Sequence, residues 1–147
     1  MFEVRAAREG FAARLAALRA TEAELEGIRA IHQTYIDTVR GSNRGHLVEH
    51  NDEFHEAVIA ASRHRLLAEQ IHRNGQYYFI HSSSTPRPSS QVAARIAGFL
   101  SDEEVRVSIE GQNELVRALM TRDADLSEQA ARTHVLEGLA KVLNKIR

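Results

Sequence analysis

Apolar residues recur every three or four positions along most of this chain, which is the spacing of one face of an α-helix. Short runs rich in glycine, serine or proline interrupt the pattern, most clearly at 81–90. The pattern predicts helices at 2–19, 21–40, 46–61 and about 66–79, a short one at 91–100, then one at 101–121 and a last one starting at Asp125 or Ser127. We therefore expect an all-α, antiparallel bundle of six or seven helices without a sheet, as a single domain over residues 1–147.

Local signals support these helix starts and suggest which faces are buried. Thr21 with Glu24, and Ser101 with Glu104, have the spacing of a capping box, in which each residue bonds the other's backbone N–H. In the first helix we expect an apolar stripe padded by alanines, with Arg5 and Glu9 as a surface ion pair. The stripes predicted for the first two helices are Val4, Phe11, Leu15 and Leu18, and then Leu25, Ile28, Ile31 and Tyr35.

Four polar residues fall where the stripes should be apolar. Asn51 and His55 lie inside the stripe of the third helix, which consists of Leu47, Phe54, Val58 and Ser62. Gln112 and His134 interrupt the inner faces of the last two helices in the same way. An unpaired polar group in a core costs about 1–3 kcal/mol, so each needs a partner. The four predict a polar pocket in the middle of the bundle; the alternative is that each is an isolated, hydrogen-bonded core residue.

The composition narrows the classes of function. The chain is 43% hydrophobic and 27% charged with a net charge of −1, which argues against nucleic acid as its main partner. It has no cysteine, no apolar run of membrane-spanning length and no signal-peptide pattern, so a cytoplasmic location is expected. Phosphate-binding loops, nucleophile elbows and His-Glu-x-x-His are also missing, and the sequence makes no case for an enzyme.

Two further groups are weaker candidates. His46 and His50 are four residues apart, which suits a metal, but they lie beside glutamates on a face predicted to be solvated. The aromatic run Tyr77-Tyr78-Phe79 is expected to belong to the core or to a subunit interface.

Three segments together resemble a known family, the C-terminal effector-binding (FCD) domain of FadR-type GntR transcriptional regulators. The segments are FEVRAAREGFAARLAALRATEAELEGIRA at 2–30, NDEFHEAVIAASRHRLLAEQI at 51–71 and ALMTRDADLSEQAARTHVLEGLAKVL at 118–143. The resemblance implies a helical bundle of six or seven helices. The resemblance also implies the metal site found in many members, in which one Asp and three His hold a divalent metal and a carboxylate metabolite binds on or near it.

The resemblance places the family's metal ligands at the four anomalous positions. The Asp position is Asn51, the first and last His are His55 and His134, and the middle His is Gln112. A metal (zinc, nickel or manganese) would thus be held by Asn51, His55 and His134, but two of the four ligands have become neutral amides. A metal-free pocket that binds an organic ligand by hydrogen bonds is the alternative. Arg5 matches the family's Glu-Val-Arg segment and is expected to pair with the ligand's carboxylate.

The expected function is therefore a ligand-sensing and dimerisation domain that binds a small carboxylate metabolite and forms a homodimer. DNA would be bound only through a winged helix-turn-helix domain, which this sequence does not contain. The alternatives are a small helical metalloenzyme built around His55 and His134, and a purely structural dimerisation module whose pocket is degenerate.

Overall fold

The computed structural model describes residues 2–41, 44–73 and 100–146, and within these ranges every regular element is helical. This confirms the all-α bundle. A single 3-10 turn, Arg44–His46, precedes α3. The helices are α1 (Phe2–Arg19), α2 (Glu22–Arg40), α3 (Leu47–Ala61), α4 (Arg65–Arg73), α5 (Asp102–Met120) and α6 (Ala124–Ile146).

The predicted helix starts agree with the structure except at α6. Both capping boxes form, at Thr21 with Glu24 and at Ser101 with Glu104. The prediction for α6 was wrong, since neither Asp125 nor Ser127 caps it. The last helix begins earlier, at Ala124, directly after the tight turn that ends α5. The carboxylate of Asp123 therefore accepts the backbone N–H of Leu126 in its first turn.

Several predictions fall in the part of the chain that is not described. These are the end of the fourth helix, the aromatic run at 77–79, the loop at 81–90 and almost all of the short helix at 91–100.

The helices pack in an order that brings α1, α3, α5 and α6 around one core. α1 makes its most extensive contact with α6 and also packs on α3, while α2 packs on α3 and α5. Phe54 and Leu119 are among the largest side chains of this core, and both are almost fully buried. None of the described helices combines the length and the hydropathy needed to span a bilayer. The packing places the middle of α3, α5 and α6 beside the first half of α1.

The buried face of α1 is not the predicted one. Val4, Phe11 and Leu18 remain 42–60% exposed, and only Leu15 of the predicted stripe is buried. Most of the buried face consists of small residues, Ala6, Ala12, Ala13, Ala16 and Ala17, and Ala20 directly after the helix is also buried. Gly10 shows why: a Cβ there would lie 2.6 Å from Arg132 Cγ and 3.2 Å from the Glu128 carbonyl oxygen on α6. The two helices approach too closely for larger side chains.

Candidate functional site

Buried polar residues mark the centre of the bundle. Besides Glu9, five polar side chains there are at most 9% exposed, and they include the four positions singled out from the sequence. They are His32, Asn51, His55, Gln112 and His134. With their polar partners they form two groups. The imidazole group is Arg5, Glu9, His55 and His134, and the amide group is His32, Asn51, Gln112 and Asn113.

The imidazole group is organised around the carboxylate of Glu9. Arg5 Nε donates to Glu9 Oε1 over 2.6 Å, and His55 Nδ1 donates to Glu9 Oε2 over 2.9 Å. The prediction of a surface pair was wrong, because the Arg5 and Glu9 side chains are only 11% and 6% exposed. Both lie on the alanine-rich face of α1, which turns toward the core. Two cationic or cation-forming side chains therefore share one buried carboxylate.

The electrostatics keep this carboxylate ionised. Burial by itself would raise the pKa of Glu9, but the charges of His55 and Arg5 and their hydrogen bonds outweigh it and lower the pKa to about 2. Glu9 is thus a fixed negative charge at neutral pH. It both orients His55 and offsets the charge of Arg5.

His134 completes the imidazole group by packing against His55. The two rings are nearly parallel, at 15°, with centroids 5.2 Å apart. Gly111 on α5 makes room for this arrangement, since a Cβ there would lie 2.6 Å from His134 Nδ1 and 3.4 Å from His134 Cβ. The site therefore depends on a glycine in the middle of a helix, where alanine would otherwise be more stable.

Replacing Gly111 with alanine should displace His134 and destabilise the fold, whereas the same change at Gly27 should stabilise it. Alanine gains up to about 1 kcal/mol of helix propensity at either position, but overpacking a filled core costs about 1–3 kcal/mol. Gly27 lies on α2 with no atom within 4 Å of its added Cβ, so it reports propensity alone. Chemical denaturation of both variants measures the difference. Equal stabilisation by the two changes would contradict the described position of His134.

The amide group is a continuous line of hydrogen bonds across three helices. Gln112 Nε2 on α5 donates to Asn51 Oδ1 on α3 over 2.9 Å, and His32 Nδ1 on α2 lies 2.9 Å from Gln112 Oε1. His32 Nε2 lies 2.6 Å from Asn113 Oδ1. Gln112 is fully buried with both ends of its amide bonded.

The four positions predicted to share one pocket come together as two pairs. Asn51 is bonded to Gln112, and His55 is stacked on His134. Phe54 contacts one ring of each group, with centroids 5.7 Å from both His32 and His55.

Sequence analysis missed His32 and Glu9. His32 follows Ile28 by four residues and precedes Tyr35 by three, which is ideal helical spacing, but the neighbouring Ile31 was assigned to the stripe instead. The structure shows His32 buried and Ile31 only partly buried. Glu9 gave no such signal, because the alanines around it have too little apolar area to define a face.

Of the two polar groups, only the imidazole group has a side chain arranged as a metal ligand usually is. His55 has the arrangement usual for a metal-binding histidine, with its Nδ1–H on a carboxylate. On the other side, the oxygens of Asn51 and Gln112 already accept hydrogen bonds, and both amides are neutral. Within the described ranges, no three His, Asp, Glu or Cys side chains are placed to share an ion. As arranged, the full four-ligand set does not fit a metal.

The cavities around these residues are small. One of about 10 Å³ adjoins the imidazole group and is lined by Glu9, His55, Val58, Ile59, Leu115, Ala131 and His134. This is room for roughly one water molecule, whereas ligand pockets usually measure about 300–1,000 Å³. A much larger groove of about 780 Å³ runs between α5 and α6, and it contains none of the five predicted site residues. It does reach Gly111, whose other side faces His134.

The comparison with known families agrees with this all-helical fold. No curated protein matches the chain. The family model described as "FCD domain" matches residues 1–137, which is nearly the whole chain and includes both polar groups. FCD domains are the C-terminal effector-binding domains of GntR-family regulators; they bind small molecules and are not enzymes. The chain belongs to the FCD family.

Proposed function

We propose that this chain is the ligand-sensing and dimerisation domain of a FadR-type regulator, and that its effector is a small organic acid bound at the imidazole group. The observation that carries the proposal is the buried cluster of Arg5, His55 and His134 around Glu9. Guanidinium and imidazole groups are the side chains best suited to a carboxylate, and in this site they are already desolvated. An acidic effector would compete with Glu9 for the same donors.

The size of the cavity implies that binding changes the conformation. A space for about one water cannot admit a carboxylic acid, so α1, α3 and α6 must separate locally for the ligand to enter. A ligand that binds only the opened form shifts the domain toward it. In a full-length regulator, α1 is the helix nearest in sequence to the DNA-binding domain, and its displacement would couple effector binding to DNA affinity.

The groove between α5 and α6 is poorly suited to bind an acid, although its floor at Gly111 is separated from His134 by no side chain. Three glutamates and one arginine line it, which makes it acidic on balance: Glu110, Glu114, Glu137 and Arg117. The exposed stripe of Val4, Phe11 and Leu18 on α1 supports the homodimer part of the proposal, since a second copy would cover apolar area that α6 leaves exposed.

A thermal-shift screen tests the proposal directly. Mono-, di- and hydroxycarboxylic acids are compared with their uncharged primary amides. Each is tested on wild type, on Arg5→Met and on Arg29→Met, the matched control, which changes an exposed arginine paired with Glu26. At about 100 times its Kd, a ligand of the folded state should raise the Tm of a domain this size by roughly 5–10 °C. We expect the shift in wild type and Arg29→Met and its loss in Arg5→Met. Equal shifts by acids and amides, or no shift with any acid, would reject the proposal.

A further inference from the structure

The amide group occupies one half of the position where the family resemblance places a metal. Asn51 stands at the family's Asp and Gln112 at its middle His, and the two are bonded to each other. The third member of the line, His32, is at none of the four ligand positions. It reaches the site from α2 and is 4% exposed.

We infer that, on the amide side of the site, the hydrogen bonds among His32, Gln112 and Asn51 stand in for the metal ion, so that the domain needs no divalent cation. A metal joins helices by drawing lone pairs from several side chains to one point. Here the lone pairs of Asn51 Oδ1 and Gln112 Oε1 are used within the protein, by Gln112 Nε2 and His32 Nδ1 respectively. An ion would have to share each oxygen with the hydrogen bond that it already accepts, and a neutral amide offers an ion less electrostatic energy than a carboxylate.

The other half of the position still carries both of the histidines that the resemblance implies. Glu9 orients His55 through Nδ1, and the His134 ring lies beside that of His55. The loss of metal binding should therefore lie in residues 51 and 112 alone. This inference deepens the proposed function, on which it rests, by specifying that the effector is held without a metal.

Metal titration of wild type and of the double variant Asn51→Asp/Gln112→His tests the inference without any effector, so it can fail independently of the proposed function. Both proteins also carry His50→Gln, which removes the pair of the exposed His46 and the partly buried His50 as a background metal site, so wild type in this experiment means the His50→Gln protein. Zinc, nickel and manganese are added singly, and bound metal is measured after desalting, together with Tm. We expect about one metal per chain and a Tm rise of roughly 5 °C or more in the double variant, both abolished by adding His55→Ala, and neither in wild type.

Two results would overturn the inference. The first is stoichiometric metal in wild type that disappears with His55→Ala, since the amides would then serve as ligands. The second is a folded double variant that binds no metal, because the missing element would then lie elsewhere. If the double variant is unfolded without metal, its circular dichroism is compared with and without added metal. Folding on addition of metal supports the inference. Failure to fold, together with metal bound to wild type, rejects it.

Discussion

Glu9→Leu should lower the free energy of unfolding by about 3–5 kcal/mol at neutral pH, the largest effect that we expect from one substitution. The change removes the carboxylate shared by Arg5 and His55, while the guanidinium and the imidazole stay in a site that excludes water. Breaking a buried ion pair in this way typically costs about that amount. Urea denaturation at pH 7 measures it.

The matched control is Glu26→Leu, because Glu26 also pairs with an arginine on its own helix, Arg29, but the pair is more than half exposed. Solvent screens such pairs, so this variant should differ little from wild type. Equal losses of stability at the two positions would show that the buried Arg5–Glu9–His55 contacts contribute no more than an exposed ion pair does.

Acid provides a second readout of the same carboxylate. The pKa of Glu9 is about 2 in the folded protein and near 4.5 in the unfolded chain. The stabilisation it contributes is therefore complete above pH 4.5 and is lost as the pH falls toward 2, a difference of roughly 3 kcal/mol. Wild type and Glu9→Leu should converge in stability over this interval, whereas Glu26→Leu should stay parallel to wild type.

Gln112→Leu should cost about 2–4 kcal/mol although leucine has nearly the same volume. The change leaves His32 Nδ1 and Asn51 Oδ1 buried without the amide that now bonds both, and each such loss costs about 1–3 kcal/mol. Gln129→Leu, at an exposed position of α6, is the matched control and should stay within about 0.5 kcal/mol of wild type. Denaturation curves of the two variants give the comparison.

The predicted loss follows from hydrogen bonds that are present whichever function the domain has. A gain in stability would contradict these bonds and favour a degenerate pocket, in which Gln112 would be an unneeded polar group.

The sequence predicted most helices because their signals are local. Capping boxes at Thr21 and Ser101 and the apolar stripe of α3 depend only on neighbours along the chain, and all three are found in the structure. It failed on α1, where the large residues Val4, Phe11 and Leu18 suggested a buried face that is in fact exposed. The buried face of an alanine-rich helix depends on how closely the neighbouring helix, here α6, approaches it. That distance cannot be predicted from the sequence of α1 alone.

The same limit applies to the polar centre. Asn51, His55, Gln112 and His134 were found because each interrupts a stripe of larger apolar residues. How they pair could not be predicted, since the partners, His32 and Glu9, come from α2 and α1, which are distant in sequence. Periodicity shows that a side chain points inward, but only the packing of helices decides what it meets.

The alanine face of α1 has a consequence for how a signal could leave the site. Side chains such as Ala13, Ala16 and Ala17 have no rotamers to rearrange, and they give α1 a smooth surface of small side chains where it packs on the core. A helix seated on such a surface can undergo shear, moving lengthwise by a small step as a rigid rod without repacking the core. An effector that opens the site at Glu9 would then shift the whole of α1 instead of bending it, so the displacement would reach the N-terminal end of the helix, on the side of the DNA-binding domain in a full-length regulator.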